Sequence, residues 1–338
     1  MLGGNSSFRF QVNQTSMKKI SERDELLAFV AEQYYQEEKK QTEIAEMIDL
    51  TRSAVSRMLS EAREKGIVEI IIHHPFQYDQ TLGDKLQSVF NLEHVAVVVF
   101  HDQPNYDDLR NRLGKAASRL LATLVKPGHH IGLSWGTTVQ ATIEAYEPQP
   151  VKNATVVQLV GVLGSTRHSY SAQILVEHLA EKINGEGQYL YAPFLVENEE
   201  TADILLKDPV VQQTVSAGRR CDVALMGVGT TKPAYCSLLQ GGHIYSQELE
   251  AIRDAGAVGD VTGLYYDVEG ELVQIPFHHH RIGMALEDIL QITTRLGVAG
   301  SVEKAEAVLG AVCGGYINSL VTDNLTAIRV LELAQTYC

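Results

Sequence analysis

After residue 81 the chain settles into one rhythm: a short β-branched run, a turn holding glycine, then a helix-length stretch with apolar residues every three or four positions. Few architectures accept that alternation. Parallel strands need crossover connections, and an amphipathic helix is the usual crossover. The pattern therefore predicts an α/β domain built on a largely parallel sheet. The spacing places strands at His94–Phe100, His130–Ser134 and Thr155–Val160, with helices at Leu109–Leu124 and Thr137–Tyr146. Further strands are expected at Gln188–Tyr191, Val223–Met226 and Leu272–Pro276, and a hairpin over Tyr265–Val273. Helices are expected at Ala172–Lys182, Ala202–Lys207, Pro209–Ala217, Val302–Cys313 and Asp323–Ala334.

The front of the chain follows a different period. Residues 1–17, rich in Ser, Asn, Gln and Gly, read as a mobile tail. Residues 18–74 read as a separate small domain, and residues 75–338 as the large one. In the small domain Ile20, Leu26, Leu27, Val30, Ala31 and Tyr34 share one helical face. Thr42 is placed to cap a short helix carrying Ile44, Ala45 and Ile48, with Glu43 and Glu46 near its positive end. Asp49 and Leu50 break that helix, and Thr51 caps the next, which turns Ala54, Val55, Met58, Leu59 and Ala62 inward. Gly66 fits the left-handed position past a helix end, and Ile67–Ile72 reads as a following strand. Helix, tight turn, helix and strand make a winged helix-turn-helix. An ordinary three-helix packing unit shares most of that pattern. The second helix, however, exposes Arg52, Ser53, Ser56 and Arg57 near its N-terminus, donors suited to phosphates and base edges. With Thr42 and Thr51 at the two helix starts, they form the candidate DNA-contacting set.

Charge agrees once it is counted by domain. The whole chain of 338 residues carries a net charge of −14, which on its face argues against nucleic acid. Residues 66–338 hold −13 of it, residues 18–65 only −2, and residues 51–65 are +2. A basic helix on a small domain can dock on phosphates while the acidic domain is kept away from them. Length fits two or three domains, and 45% hydrophobic residues suffice for a sizeable core. No apolar run approaches the ~18 residues of a membrane span, and residues 1–16 lack a secretory pattern, so a cytoplasmic protein is expected. Cys221, Cys236, Cys313 and Cys338 form no closely spaced pair and read as reduced thiols.

Several turns could carry chemistry. Gly132–Thr138 follows a strand and opens a helix, offering backbone N–H groups and two hydroxyls to an anion; a plain turn with a helix cap reads the same. Gly161–Ser165 and Gly227–Thr231 also follow strands. Three such turns at the carboxyl ends of parallel strands point to a pocket for a polar, anionic small molecule. Asp260, after Ala255–Gly259, is suited to sugar hydroxyls or simply to capping a turn. Lys304 falls in a first helical turn, where the dipole disfavours a cation unless an anion holds it; simple exposure is the other reading. The run His278-His279-His280 does not fit a metal site, because neighbours on an extended segment face opposite ways and no second ligand cluster has metal spacing. His73-His74 and His129-His130 read the same way. No metal and no cofactor is expected.

In combination these residues resemble the SorC family of bacterial sugar-binding transcriptional regulators. The resemblance runs through Ala45–Lys65, Gly132–Thr138, Leu159–Gly164, Ala192–Leu195, Asp222–Gly229, Ala257–Asp260, Ala299–Ala307 and Gly314–Leu325, nearly the whole chain after the tail. It implies a winged helix-turn-helix followed by an α/β effector domain similar to sugar-phosphate isomerases and CoA transferases. It also implies a phosphorylated sugar or related metabolite that controls affinity for operator double-stranded DNA, and assembly as homodimers or homotetramers. By motif, Gly136, Thr137 and Thr138 would hold the phosphate, Asp260 the hydroxyls, and Lys304 either. Gly161, Gly164 and Gly229 would line the pocket. The chain departs from the family pattern at Val162, where a glycine is frequent, and in the histidine run, and Thr231–Gly242 shows no clear family pattern. Two functions compete: a regulator of carbohydrate genes, and a sugar-phosphate isomerase with Asp260 and Lys304 as base and acid. The helix-turn-helix favours the regulator, since an isomerase has no use for it.

Overall fold

The computed structural model describes residues 22–68, 77–164 and 171–337. The expected tail, Ile20, His73-His74, Ser165 and most of the expected wing strand lie outside the described residues. The chain divides after Pro75 into two compact units.

The first unit holds helices α1 (Glu22–Tyr35), α2 (Gln41–Met47) and α3 (Arg52–Glu64). Leu27, Val30 and Ala31 of α1 share a buried cluster with Ile44 and Ala45 of α2 and with Val55, Met58, Leu59 and Ala62 of α3. Arg23 pairs with Glu61 at 2.6 Å and Lys65 with Asp24 at 2.9 Å, tying α1 to α3. Residues 48–51 form the turn between α2 and α3, with Asp49 at φ +53°. Thr51 caps α3, its hydroxyl accepting the Ala54 N–H at 3.2 Å. Gly66 takes φ +69° past the end of α3. Thr42 does not cap α2. The helix starts earlier because the Lys40 N–H finds Glu43 Oε2 at 2.8 Å, which leaves Thr42 exposed inside the first turn. Ile67 and Val68 form a bend against the helical cluster, not a strand.

The second unit opens with α4 (Gln80–Phe90), β1 (His94–Val98), α5 (Tyr106–Leu124), β2 (His130–Leu133), α6 (Thr137–Ala145) and β3 (Thr155–Gln158). There follow α7 (Ala172–Ile183), β4 (Glu186–Gln188), α8 (Glu199–Lys207), α9 (Pro209–Gly218), β5 (Val223–Gly227) and β6 (Gly229–Thr230). The third stretch is α10 (Ser237–Gln240), α11 (Ser246–Asp254), β7 (Gly259–Val261), β8 (Leu264–Tyr266), α12 (Phe277–His280) and α13 (Leu286–Leu290). The unit closes with β9 (Thr294–Val298), α14 (Ala305–Cys313), β10 (Ser319–Asp323) and α15 (Asn324–Tyr337).

Among the described residues seven strands form one sheet in the order β1-β10-β9-β5-β2-β3-β4, and every pairing in it is parallel. Val156, Val223, Leu225, Leu296, Val298 and Val321 are buried on one face against α5, α6 and α7. Val157, Ala224, Met226 and Leu320 are buried on the other, with α9, α14 and α15. Burial on both faces explains why β5 reads as an unbroken apolar run. A small antiparallel sheet, β6-β7-β8, stands beside the large one.

Three expectations fail here. The strand expected at Gln188–Tyr191 lies earlier, as β4, and ends at Gln188. Residues 272–276 form no strand; Leu272 makes one isolated bridge to Tyr266. The hairpin lies earlier, from β7 to β8, because Thr262 and Gly263 both take positive φ, +56° and +78°, and close a two-residue turn.

Candidate functional site

A cavity of about 430 Å³ is lined by the segments that follow the carboxyl ends of β2, β5 and β9. From the first come Trp135, Gly136, Thr137 and Thr138; from the second, Gly227, Val228 and Gly229; from the third, Lys304. Asp260 of β7 and Thr262 of the hairpin turn close one side. The parallel sheet dictates this place, since the loops that follow its strands all gather at the carboxyl edge.

Gly136 enters α6 with φ +141°, a conformation for glycine, and the first-turn N–H groups of Thr137 and Thr138 are left without helical partners. Thr138 is buried and its hydroxyl donates to the Val298 carbonyl at 2.9 Å. The Thr137 hydroxyl lies 3.1 Å from the Tyr106 hydroxyl. The donors that this corner offers an anion are therefore backbone amides and the Thr137–Tyr106 hydroxyl pair.

The turn after β5 organises the remaining groups. A Cβ at Gly227 would lie 3.6 Å from Thr138 Oγ1, and a Cβ at Gly229 would lie 1.9 Å from Asp260 Oδ1. Between them the Val228 carbonyl accepts Lys304 Nζ at 3.0 Å. Three successive residues thus meet a hydroxyl, an ammonium and a carboxyl group. Gly229 is required because Asp260, its partner across the β6–β7 ladder, occupies the side-chain volume.

Asp260 is buried, and burial pushes its carboxyl up to about 6; the Gly263 N–H at 2.9 Å and the charges of Lys304 and Arg281 pull the other way. Arg281 is also buried, which lowers its guanidinium to about 10 against the attraction of Asp260. It donates to the Thr262 carbonyl at 2.6 Å and to the Met284 carbonyl at 2.7 Å, fixing the hairpin turn beneath the cavity.

Of the residues singled out in the sequence, Gly136, Thr137, Thr138, Gly229, Asp260 and Lys304 meet around this one cavity. Gly161 and Gly164 are not in its described lining. Gly161 packs instead against the Pro193 backbone, where a Cβ would come within 2.3 Å of the carbonyl oxygen. Gly164 has open space around its Cα and borders residues outside the described set. Sequence reading missed Tyr106, because it began helix α5 at Leu109; the Asn105 cap and the acidic Asp107 and Asp108 were signals for the earlier start. It also missed Ala234, Tyr235, Ser237 and Gln240, which form the outer wall. They belong to the stretch 231–242, which folds as a 3-10 turn (Pro233–Tyr235) and helix α10.

The histidine run is one helical turn, not an extended segment. His278 Nε2 accepts the Tyr265 N–H at 2.9 Å, and burial, with the Arg281 and His279 charges, brings it down to about 4. His279 pairs with Glu199 at 3.2 Å. Among the described residues no group of three or more His, Cys, Asp or Glu could hold a metal ion, and no helix is long and apolar enough to cross a membrane.

In the first unit Arg52, Ser53, Ser56 and Arg57 all lie exposed along α3, opposite its buried stripe. Thr51 is exposed too, but its oxygen is engaged in the cap. Arg57 Nε reaches the Ser53 carbonyl at 3.4 Å, which leans the guanidinium toward the N-terminal end of the helix.

A helix-turn-helix unit joined to an α/β unit with a cavity for a small polar ligand defines a class, the ligand-binding transcriptional regulators. Comparison with known proteins narrows it. A family model described as "Putative sugar-binding domain" matches residues 74–332. The chain is 31% identical over 307 residues to the deoxyribonucleoside regulator of Bacillus subtilis, covering 90% of this chain and 97% of that one. It is 31% identical over 313 residues to the transcriptional regulator LsrR of Escherichia coli, covering 91% and 95%. The full-length sorbitol operon regulator SorC of Klebsiella pneumoniae superposes with a TM-score of 0.70, at 26% identity over 92% of this chain and 99% of that one. The chain belongs to the SorC family of sugar-binding transcriptional regulators.

Proposed function

We propose that α3 of each protomer reads an operator half-site while the cavity of the α/β unit takes a phosphorylated sugar or related metabolite that changes operator affinity. The observation that carries this reading is the convergence, around one cavity, of the amide-rich start of α6, the buried Lys304 ammonium and the Asp260 carboxyl group. A phosphate is a set of acceptors with negative charge, and helix N-termini and ammonium groups are what bind it. Asp260 is an acceptor suited to the hydroxyls of the sugar. Arg52 and Arg57 supply donors for phosphates and base edges, and Ser53 and Ser56 supply smaller ones. Control requires that the effector bind two states of the regulator unequally, typically by about 1–3 kcal/mol. Paired half-sites fit a homodimer or homotetramer, and the relatives' names, transcriptional and operon regulators, support a regulator acting on DNA.

Fluorescence anisotropy on the DNA upstream of this gene's own transcription unit tests the reading, with and without a panel of sugar phosphates. Tight binding that one compound shifts is the expected result. Absence of specific DNA binding, together with turnover of a panel compound, would replace it with the isomerase reading.

A further inference from the structure

Ser301 has a φ of +91°, a region that residues with a side chain rarely enter. It belongs to the turn that links β9 to the 3-10 turn Val302–Lys304, so it sets where Lys304 enters the cavity. Such a conformation persists only where the surroundings over-determine it. Within the turn the Ser301 hydroxyl bonds the Glu303 carboxyl group, and the restraint from outside it comes from Asp323, at the end of β10 and only 2% exposed. Its Oδ2 accepts the Ser301 N–H at 3.0 Å and the Thr326 hydroxyl at 2.6 Å, while Oδ1 accepts the Thr326 N–H at 2.8 Å. A helix cap on α15 accounts for the two bonds to Thr326. It does not account for the bond to Ser301, which joins the ends of two neighbouring strands. Gly300 completes the fit: a Cβ there would lie 2.5 Å from Asp323 Oδ2 and 2.6 Å from Leu113 Cδ1.

We propose that Asp323 is a positioning residue for the effector: it holds the Gly300–Ser301 turn in its strained form and so fixes Lys304 Nζ in the cavity. The inference rests on the reading that Lys304 contacts a phosphorylated ligand. Asp323 itself is absent from the described lining of that cavity and acts through the turn. A buried carboxylate suits this task because its two oxygens accept several donors at fixed angles, where a hydroxyl accepts fewer.

Calorimetric titration with D-ribose 5-phosphate and with inorganic phosphate tests it on wild type, Asp323→Asn, Lys304→Ala and the double variant. Asp323→Asn is expected to weaken binding roughly tenfold, Lys304→Ala at least as much, and the double variant no more than Lys304→Ala alone. Glycine takes φ +91° without strain, so Ser301→Gly added to Asp323→Asn should recover part of the loss, which a general loosening of the fold would not allow. Should Asp323→Asn not fold, Gly300→Ala takes its place in the cycle, since it pushes the same turn off the same carboxylate. Additive losses, or wild-type affinity in Asp323→Asn, overturn the proposal and leave the effector reading standing. Unchanged affinity in Lys304→Ala, or a wild-type protein that takes up neither probe nor any other member of a sugar-phosphate panel, overturns that reading and the proposal with it.

Discussion

Asp260 holds a carboxyl group in a buried place where ionisation is costly and where an ionised acceptor is useful. Its folded value of about 6 lies above the roughly 3.9 of an unfolded aspartate. Protonation therefore favours the folded state. The stabilisation is fully present below about pH 4 and is lost as pH rises through about 6, on the order of 3 kcal/mol in total. Asp260→Asn should accordingly unfold at a higher temperature than wild type at pH 8, with the gap closing toward pH 4. Thermal unfolding across that range reads it, and a gap independent of pH would contradict the burial argument. Effector binding should move the opposite way. An ionised carboxylate accepts sugar hydroxyls more strongly, so wild-type affinity falls as pH drops from 7 to 5. A phosphate ligand protonates near pH 6 too, so the excess slope of wild type over Asp260→Asn is the quantity to measure. Gly229→Ala tests the same contact sterically. The new Cβ would sit 1.9 Å from Asp260 Oδ1, so the side chain must leave its place. A stability loss of about 1–3 kcal/mol is expected, with effector affinity falling in the same titration.

Two elements of the cavity wall are built on backbone that ordinary residues avoid. The hairpin turn puts Thr262 at φ +56°, and the turn after β9 puts Ser301 at φ +91°. A buried charged side chain bonds the strained residue in each, Arg281 at Thr262 and Asp323 at Ser301. Strain of this kind costs roughly 1–3 kcal/mol per site, and at both places it sets groups facing the cavity. Helix α3 follows simpler rules. Its inward stripe packs against α1 and α2, its cap is Thr51, and its outer face is left to the arginines and serines. Arg57→Ala is expected to weaken operator binding and, through one lost phosphate contact, to flatten the slope of log affinity against log salt by about one unit. Anisotropy titrations at several salt concentrations give that slope; an unchanged slope and affinity would remove Arg57 from the contact set. Effector affinity should be untouched.

For the whole molecule, the division after Pro75 separates a small helical unit from one with its own sheet and core. A ligand that binds one unit stabilises that unit by mass action, about 2.7 kcal/mol at a hundredfold excess over its dissociation constant. Scanning calorimetry with a saturating sugar phosphate should therefore raise the transition of the large unit and leave that of the helical unit in place. A shift confined to the helical transition would put the ligand elsewhere.

What the sequence determined by itself is what depends on neighbours along the chain. The 3.6-residue stripe of α3, its Thr51 cap, the Gly66 stop and the helix–strand alternation after residue 81 are all local patterns, and the structure follows them. Gly136 and Gly229 could be picked out as glycines in turns that follow strands, whereas Asp260 and Lys304 read either way locally and stood out only through the family resemblance. Strands β9 and β10 were not legible, since Thr294 and Arg295 interrupt the first and Ser319 and Thr322, polar yet fully buried, interrupt the second, a burial that only the neighbouring strands impose. The Gly161 turn looked like its counterparts, and only the approach of Pro193 shows that it serves packing. The wall formed by Tyr235, Ser237 and Gln240 carries no period at all. Tertiary structure alone brings it to the cavity, because folding a parallel sheet gathers at one edge loops that are distant in the chain.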